Sequence, residues 1–137
     1  MAIQSAIGAY LLSNAALLAA IPNDEGGAPA IYPVRGLQDS RADPYIIFRV
    51  AGWNEITPLT SPVPFGTAQV IVSCYSLNYD TAASVAKLVI LALRYLNGVS
   101  MGTELAQGSW IVSMRDEDQS DAGVYEIVVE ANIQFAQ

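Results

Sequence analysis

Residues 80–96 constrain this chain most. Ala82, Val85, Ala86, Val89, Leu93 and Leu96 recur at i, i+3, i+4 spacing and fall on one face of a helix. Asp80 is placed to cap its start, and Asn97 with Gly98 to end it. The opposite side is not properly polar, because Leu88, Leu91, Ala92 and Tyr95 leave Lys87 and Arg94 as its only charges. A helix apolar nearly all round is covered on both sides. Leu88, Leu91 and Tyr95 are therefore the candidates for self-association.

Alternating segments flank this helix. Ile46, Phe48 and Val50 alternate with Tyr45, Arg49 and Glu55, and Ala68, Val70, Val72 and Cys74 alternate with Gln69, Ser73 and Tyr75. Between them Pro58, Pro62 and Pro64 remove backbone donors, which predicts an exposed, stiff loop in a long hairpin. Beyond the helix, Trp110, Val112 and Met114 alternate with Ser109, Ser113 and Arg115. Tyr125, Ile127, Val129, Ala131, Ile133 and Phe135 then alternate with Glu126, Glu130, Asn132 and Gln134. Trp110 is read as core, Trp53 as either core or contact, and 116–123 as the turn of the second hairpin.

At the start, Ile3, Ala6, Ile7, Tyr10 and Leu11 share a helical face, and Asn14 is placed to cap a short second helix that Pro22 stops. Residues 23–44 read as connecting loop, with Ile31 and Tyr32 suggesting a brief strand. The order helix, strand, strand, helix, strand, strand predicts one α+β domain over residues 1–137. Its expected form is an antiparallel sheet of about four strands with two main helices packed on one face.

Composition adds a surplus. Hydrophobic residues make up 53% of the chain and charged ones 14%, more apolar surface than an ordinary soluble monomer buries. A membrane is not the expected partner, since polar or charged residues (Gln4, Ser13, Asn14, Lys87, Arg94) interrupt each apolar stretch short of a span. No basic residue precedes Arg35, so no secretory signal is expected, and the protein is placed in the cytoplasm or a particle assembled there. Self-association is the simplest cover. A net charge of −7 with six scattered basic residues argues against gripping nucleic acid.

The chain offers little chemistry. It has no histidine, which removes the commonest general base and transition-metal ligand. Cys74 is its only cysteine, so there is neither an internal disulfide nor an activating partner, and it reads as a small core residue. The acidic group Asp116, Glu117, Asp118 and Asp121 fails the calcium-loop pattern: counting from Asp116, Asp121 stands where glycine is wanted and Ile127 where glutamate is. It reads instead as a solvated hairpin end. Gly26 and Gly27 lack the glycine and lysine of a phosphate loop. No cofactor, metal or catalytic residue is predicted.

Several segments together resemble the tail-terminator, or tail-completion, proteins of long-tailed bacteriophages. They are the opening Ala9-Tyr10-Leu11-Leu12-Ser13-Asn14-Ala15-Ala16-Leu17, Ile31-Tyr32-Pro33, and the proline-led Pro44-Tyr45-Ile46-Ile47-Phe48. Val70-Ile71-Val72-Ser73-Cys74-Tyr75-Ser76 follows, with its helix from Asp80, and Arg115-Asp116-Glu117-Asp118 leads through Gly123-Val124-Tyr125 into the last strand. The resemblance spans nearly the whole chain and rests on order and spacing, without a catalytic signature.

What it implies is a virion structural protein at the tail–neck junction, without cofactor or reaction. Six copies would form a ring that caps the tail tube, stops its polymerisation and offers a docking surface to the head completion or connector protein. DNA would pass its acidic lumen without specific binding. Trp53, Asn54, Glu55, Pro58 and Pro64 in the first hairpin, and Asp116, Glu117, Asp118 and Asp121 in the second, are candidate partner contacts. One alternative is another ring of the neck, such as a head-to-tail adaptor. Another is a small ligand-binding domain or enzyme using Asp43, Glu55 and Glu104.

Overall fold

The alternation in the first hairpin is realised in full on its second strand: Ala68, Val70, Val72 and Cys74 are all completely buried. The computed structural model describes residues 2–23, 27–33, 43–56, 65–102, 104–117 and 124–136. In chain order the elements are α1 (Ala2–Ser13), α2 (Ala15–Ala20), β1 (Ile31–Pro33), β2 (Tyr45–Ile56), β3 (Phe65–Ser76), α3 (Tyr79–Leu93), β4 (Val99–Met101), β5 (Glu104–Glu117) and β6 (Tyr125–Ala136).

These strands form one six-stranded sheet in the order β1-β2-β3-β6-β5-β4. The four long strands pair antiparallel, while β1 joins β2 in parallel and β4 joins β5 antiparallel. The expectation of about four antiparallel strands under two helices is thus corrected: the sheet is mixed, two strands wider, and carries three helices. The additions are three-residue edge strands: β1 is the brief strand that Ile31 and Tyr32 suggested, now paired into the sheet, and β4 is too short for an alternating pattern to declare it.

The layering differs too. α3 lies against β3, β6 and β5, whereas α1 touches β1 and β2 at one end of the strand order and β4 and β5 at the other. One helix reaches both ends only if the sheet curls around it. Gly8 permits the approach on one side, since a Cβ there would sit 2.9 Å from the Phe48 ring, while Gly102, beside Ala6, turns the chain at a φ of 59°. The Tyr10 hydroxyl donates to the Ala92 carbonyl at 2.6 Å, tying α1 to the last turn of α3.

Both short-range caps form. The Asn14 side chain accepts the Leu17 N–H at 3.0 Å and starts α2 as expected. α3 is capped two residues earlier than expected, by Asn78, whose side chain accepts from the N–H groups of Asp80 and Thr81. It also ends earlier, at Leu93, so Leu96 is buried from the following loop and not from the helix.

Ser109 explains that end. Its hydroxyl, buried, donates to the Leu93 carbonyl at 2.5 Å and accepts the Leu96 N–H at 2.8 Å. This corrects the reading of β5, where Trp110 was placed in the core. The β5–β6 register slips between Ala106 and Gly108 and again between Ile111 and Ser113. Each slip is a bulge that reverses the alternation. Between the bulges Ser109 pairs with buried Ile133 and points to the helices, while Trp110 pairs with Asn132 and is 48% exposed.

Trp53 is set by a similar slip between Val50 and Gly52, which pairs it with buried Ala68. Its indole lies over Gly66, where a Cβ would meet the ring at 1.8 Å, and leans on Phe135 at 6.3 Å between centroids. It is partly buried against the core.

Ser109→Ala leaves a carbonyl and an N–H buried without partners, so it lowers unfolding free energy by about 1–3 kcal/mol. Urea denaturation of the two proteins measures this, and an unchanged midpoint would show that Ser109 does not terminate α3.

Candidate functional site: the exposed apolar surfaces

The helix-free face of the sheet is mostly polar and internally satisfied. Tyr45 stacks on Tyr75 with centroids 4.7 Å apart, and the Tyr75 hydroxyl donates to the Glu126 carboxylate at 3.0 Å. Arg115 pairs with Glu117 at 2.9 Å and reaches Glu130 at 3.9 Å. A groove of about 360 Å³ runs between them, lined by residues that include Ile47, Arg49, Ile71 and Val128. Burial, and then the charge and hydrogen bond of Glu126, push the Tyr75 phenol up to about 12. Burial, with Glu126 second, pushes the Cys74 thiol to about 12 as well. Neither group is poised for proton transfer or nucleophilic attack near neutrality.

The carboxylates offered for an enzyme do not gather. Asp43 accepts the Leu77 N–H at 3.2 Å beside the Tyr45–Tyr75 end of the sheet. Glu104 opens β5 at the far end, where β5 and β3 both pair with Ala136 of β6, and Glu55 lies across the sheet in β2 opposite Gly66. Among the described residues, no group of three or more potential metal ligands forms, and no helix is long and apolar enough to cross a membrane.

Exposed apolar side chains gather at the start of α3, where Leu77, Tyr79 and Tyr125 stand exposed, and in two further places. On α3, Leu91 is 57% exposed and Tyr95, just past the helix, 80% exposed, while Leu88 is partly buried against the core. On β5, Trp110, Val112 and Met114 stand exposed along an edge that β4 covers only from Glu104 to Ala106. Beyond that, the outer edge of β5 has no strand beside it among the described residues. The same holds for β2 past Phe48. Edges of this kind, dressed with apolar side chains, are templates for another chain.

Of the other candidates, Asn54 is exposed and Trp53 faces the core. Asp116 and Glu117 belong to the end of β5 and not to a turn, and the Asp116 carboxylate accepts the Tyr79 hydroxyl at 3.0 Å. Pro58, Pro64, Asp118 and Asp121 lie outside the described residues, as does the Glu55 side chain. Sequence reasoning missed the exposure of Trp110, although Gly108, a residue type that marks bulges, stood two positions away.

No protein-family model and no curated protein matches the chain. Among solved structures, it is similar to a chain in the virion of a native gene transfer agent particle. The TM-score is 0.69 at 16% identity, over 98% of this chain and 95% of that one. The two share a fold along their whole lengths.

The folded values of Cys74 and Tyr75 lie above the ordinary 9.0 and 10.0, so the native state holds protons that the unfolded chain releases. Stability from this source is whole below the lower ordinary value, 9.0, and is lost as pH rises toward about 12. The urea midpoint should fall between about pH 8 and about pH 10.5, and iodoacetamide should label Cys74 only after unfolding.

Proposed function

We propose that this protein is a structural component of a tailed, virus-like particle, and that copies of it form the ring that closes the tail tube. The observation that carries the proposal is the end-to-end likeness to a gene transfer agent virion chain. A fold matched over 98% of one chain and 95% of the other leaves little of either sequence for a different architecture.

The physical features agree with that role. A head-to-tail ring buries two different flanks of each subunit, and among the described residues this sheet has two different open edges, on β2 and on β5. The net charge of −7 suits a lumen that lets DNA slide past by repulsion. In this reading six copies cap the tube at the tail–neck junction, stop its growth, and present their other face to the head connector. A head-to-tail adaptor elsewhere in the neck would use the same ring, differing only in which partner it seats on.

The test is negative-stain microscopy of the purified protein, alone and mixed with polymerising tube subunits. Closed rings on tube ends and a shortened tube-length distribution are expected. Rings that bind the connector but leave tube growth unaffected would favour the adaptor, and the absence of any closed multimer with either partner would refute the proposal.

A further inference from the structure

The two ends of α3 carry surfaces of opposite character. At its C-terminal end Leu91 and Tyr95 project into solvent, with the Arg94 guanidinium 5.4 Å from the Tyr95 ring centroid and Lys87 on the same exposed side. Neither Lys87 nor Arg94 has a carboxylate within ion-pairing distance among the described residues. At the N-terminal end Tyr79 and Tyr125 meet edge-on at 5.8 Å. They wall a pocket of about 240 Å³ whose rim holds Asp116, Glu117 and Glu126. One end is an apolar knob flanked by cations, and the other an aromatic hole rimmed by carboxylates.

Tyr95 is also held at a cost. Its φ is 55°, the left-handed region that a side chain resists and that helix ends usually give to glycine. Beyond the Arg94 guanidinium beside its ring, the side chain gains little burial from the fold, being 80% exposed. Glycine at this position would relieve the backbone and hide an apolar ring from water. Strain and exposure at one residue together point to a contact outside the subunit.

We infer that the Leu91–Arg94–Tyr95 knob of one copy seats in the Tyr79–Tyr125 hole of the next. This deepens the ring reading and rests on its claim that copies associate. A second copy is the occupant because the charges match. The chain is strongly acidic, yet this patch is basic, and the chain's own hole sets three carboxylates around two rings: Asp116 and Glu126 accept tyrosine hydroxyls and keep their charge, while Glu117 is paired with Arg115. A subunit cannot fill its own hole, since knob and hole lie at opposite ends of a 15-residue helix, about 22 Å long. Two distinct complementary patches make a head-to-tail contact, the kind that closes rings.

Three full-length variants test this by sedimentation equilibrium in solution and by microscopy on tube ends. A knob variant, Arg94→Glu with Tyr95→Gly, and a hole variant, Asp116→Lys with Glu117→Lys, should each self-associate at least about tenfold more weakly than the parent. Mixed together they should form one-to-one dimers at parental strength, because an intact knob then meets an intact hole. Tyr95→Gly alone should raise the thermal midpoint of the isolated subunit by a few degrees while weakening association. If that substitution stabilises the subunit and leaves association unchanged, or if the mixed variants stay apart, the contact is refuted. Parental rings that persist in the knob and hole variants would overturn this contact and leave the ring reading standing. A parent that never associates, in solution or on tubes, would overturn both.

Discussion

The fold depends on one helix reaching both ends of a sheet. α1 packs beside β1 and β2 and also beside β4 and β5, with Gly8 letting the Phe48 ring approach closely and Gly102 making a left-handed turn beside Ala6. That double contact curls the six strands around α1 and α3 and closes the core over Ile7, Leu11 and Phe135, all fully buried. The Tyr10 hydroxyl, bonded to the Ala92 carbonyl, then fixes the first helix against the last turn of the third. Without this wrap, β1 and β4 would be three-residue strands with too little pairing to persist.

Much of this was legible because most buried strands here obey simple alternation. The inward residues of β3, and those of β6 from Ile127 on, were read correctly, although Tyr125, grouped with them, is 48% exposed; the shared face of Ile3, Ala6, Ile7 and Leu11 and the Asn14 cap were also read correctly. The four long strands and the two hairpins followed. What escaped had physical reasons. β4 offers three residues, and no pattern shows in three. The end of α3 is dictated by Ser109, sixteen residues beyond Leu93, so no local signal marks it. The side on which Trp53 lies depends on a slip at Ala51, which only the paired strand reveals.

The candidate surfaces were legible to a lesser degree. Leu91 and Tyr95 stood out as apolar residues on the charged side of a helix, and the structure exposes both, while Leu88 turned inward. The open edges of β2 and β5 were not readable, because an edge is a property of sheet order and not of one strand. Nor was the aromatic hole at the start of α3, assembled from residues 79, 116 and 125. Such composite surfaces are assembled only on folding, from residues far apart in the chain.

The paired bulges of β5 couple two traits that would otherwise vary separately. The segment between them runs in opposite phase to both flanks, so the same half-turn of the backbone that sends Ser109 inward to end α3 also sends Trp110 outward. A lone insertion or deletion at either bulge would invert both at once, burying the indole and stranding the helix end. Sequence drift in this strand is thereby confined to substitutions, and its length is as constrained as its core.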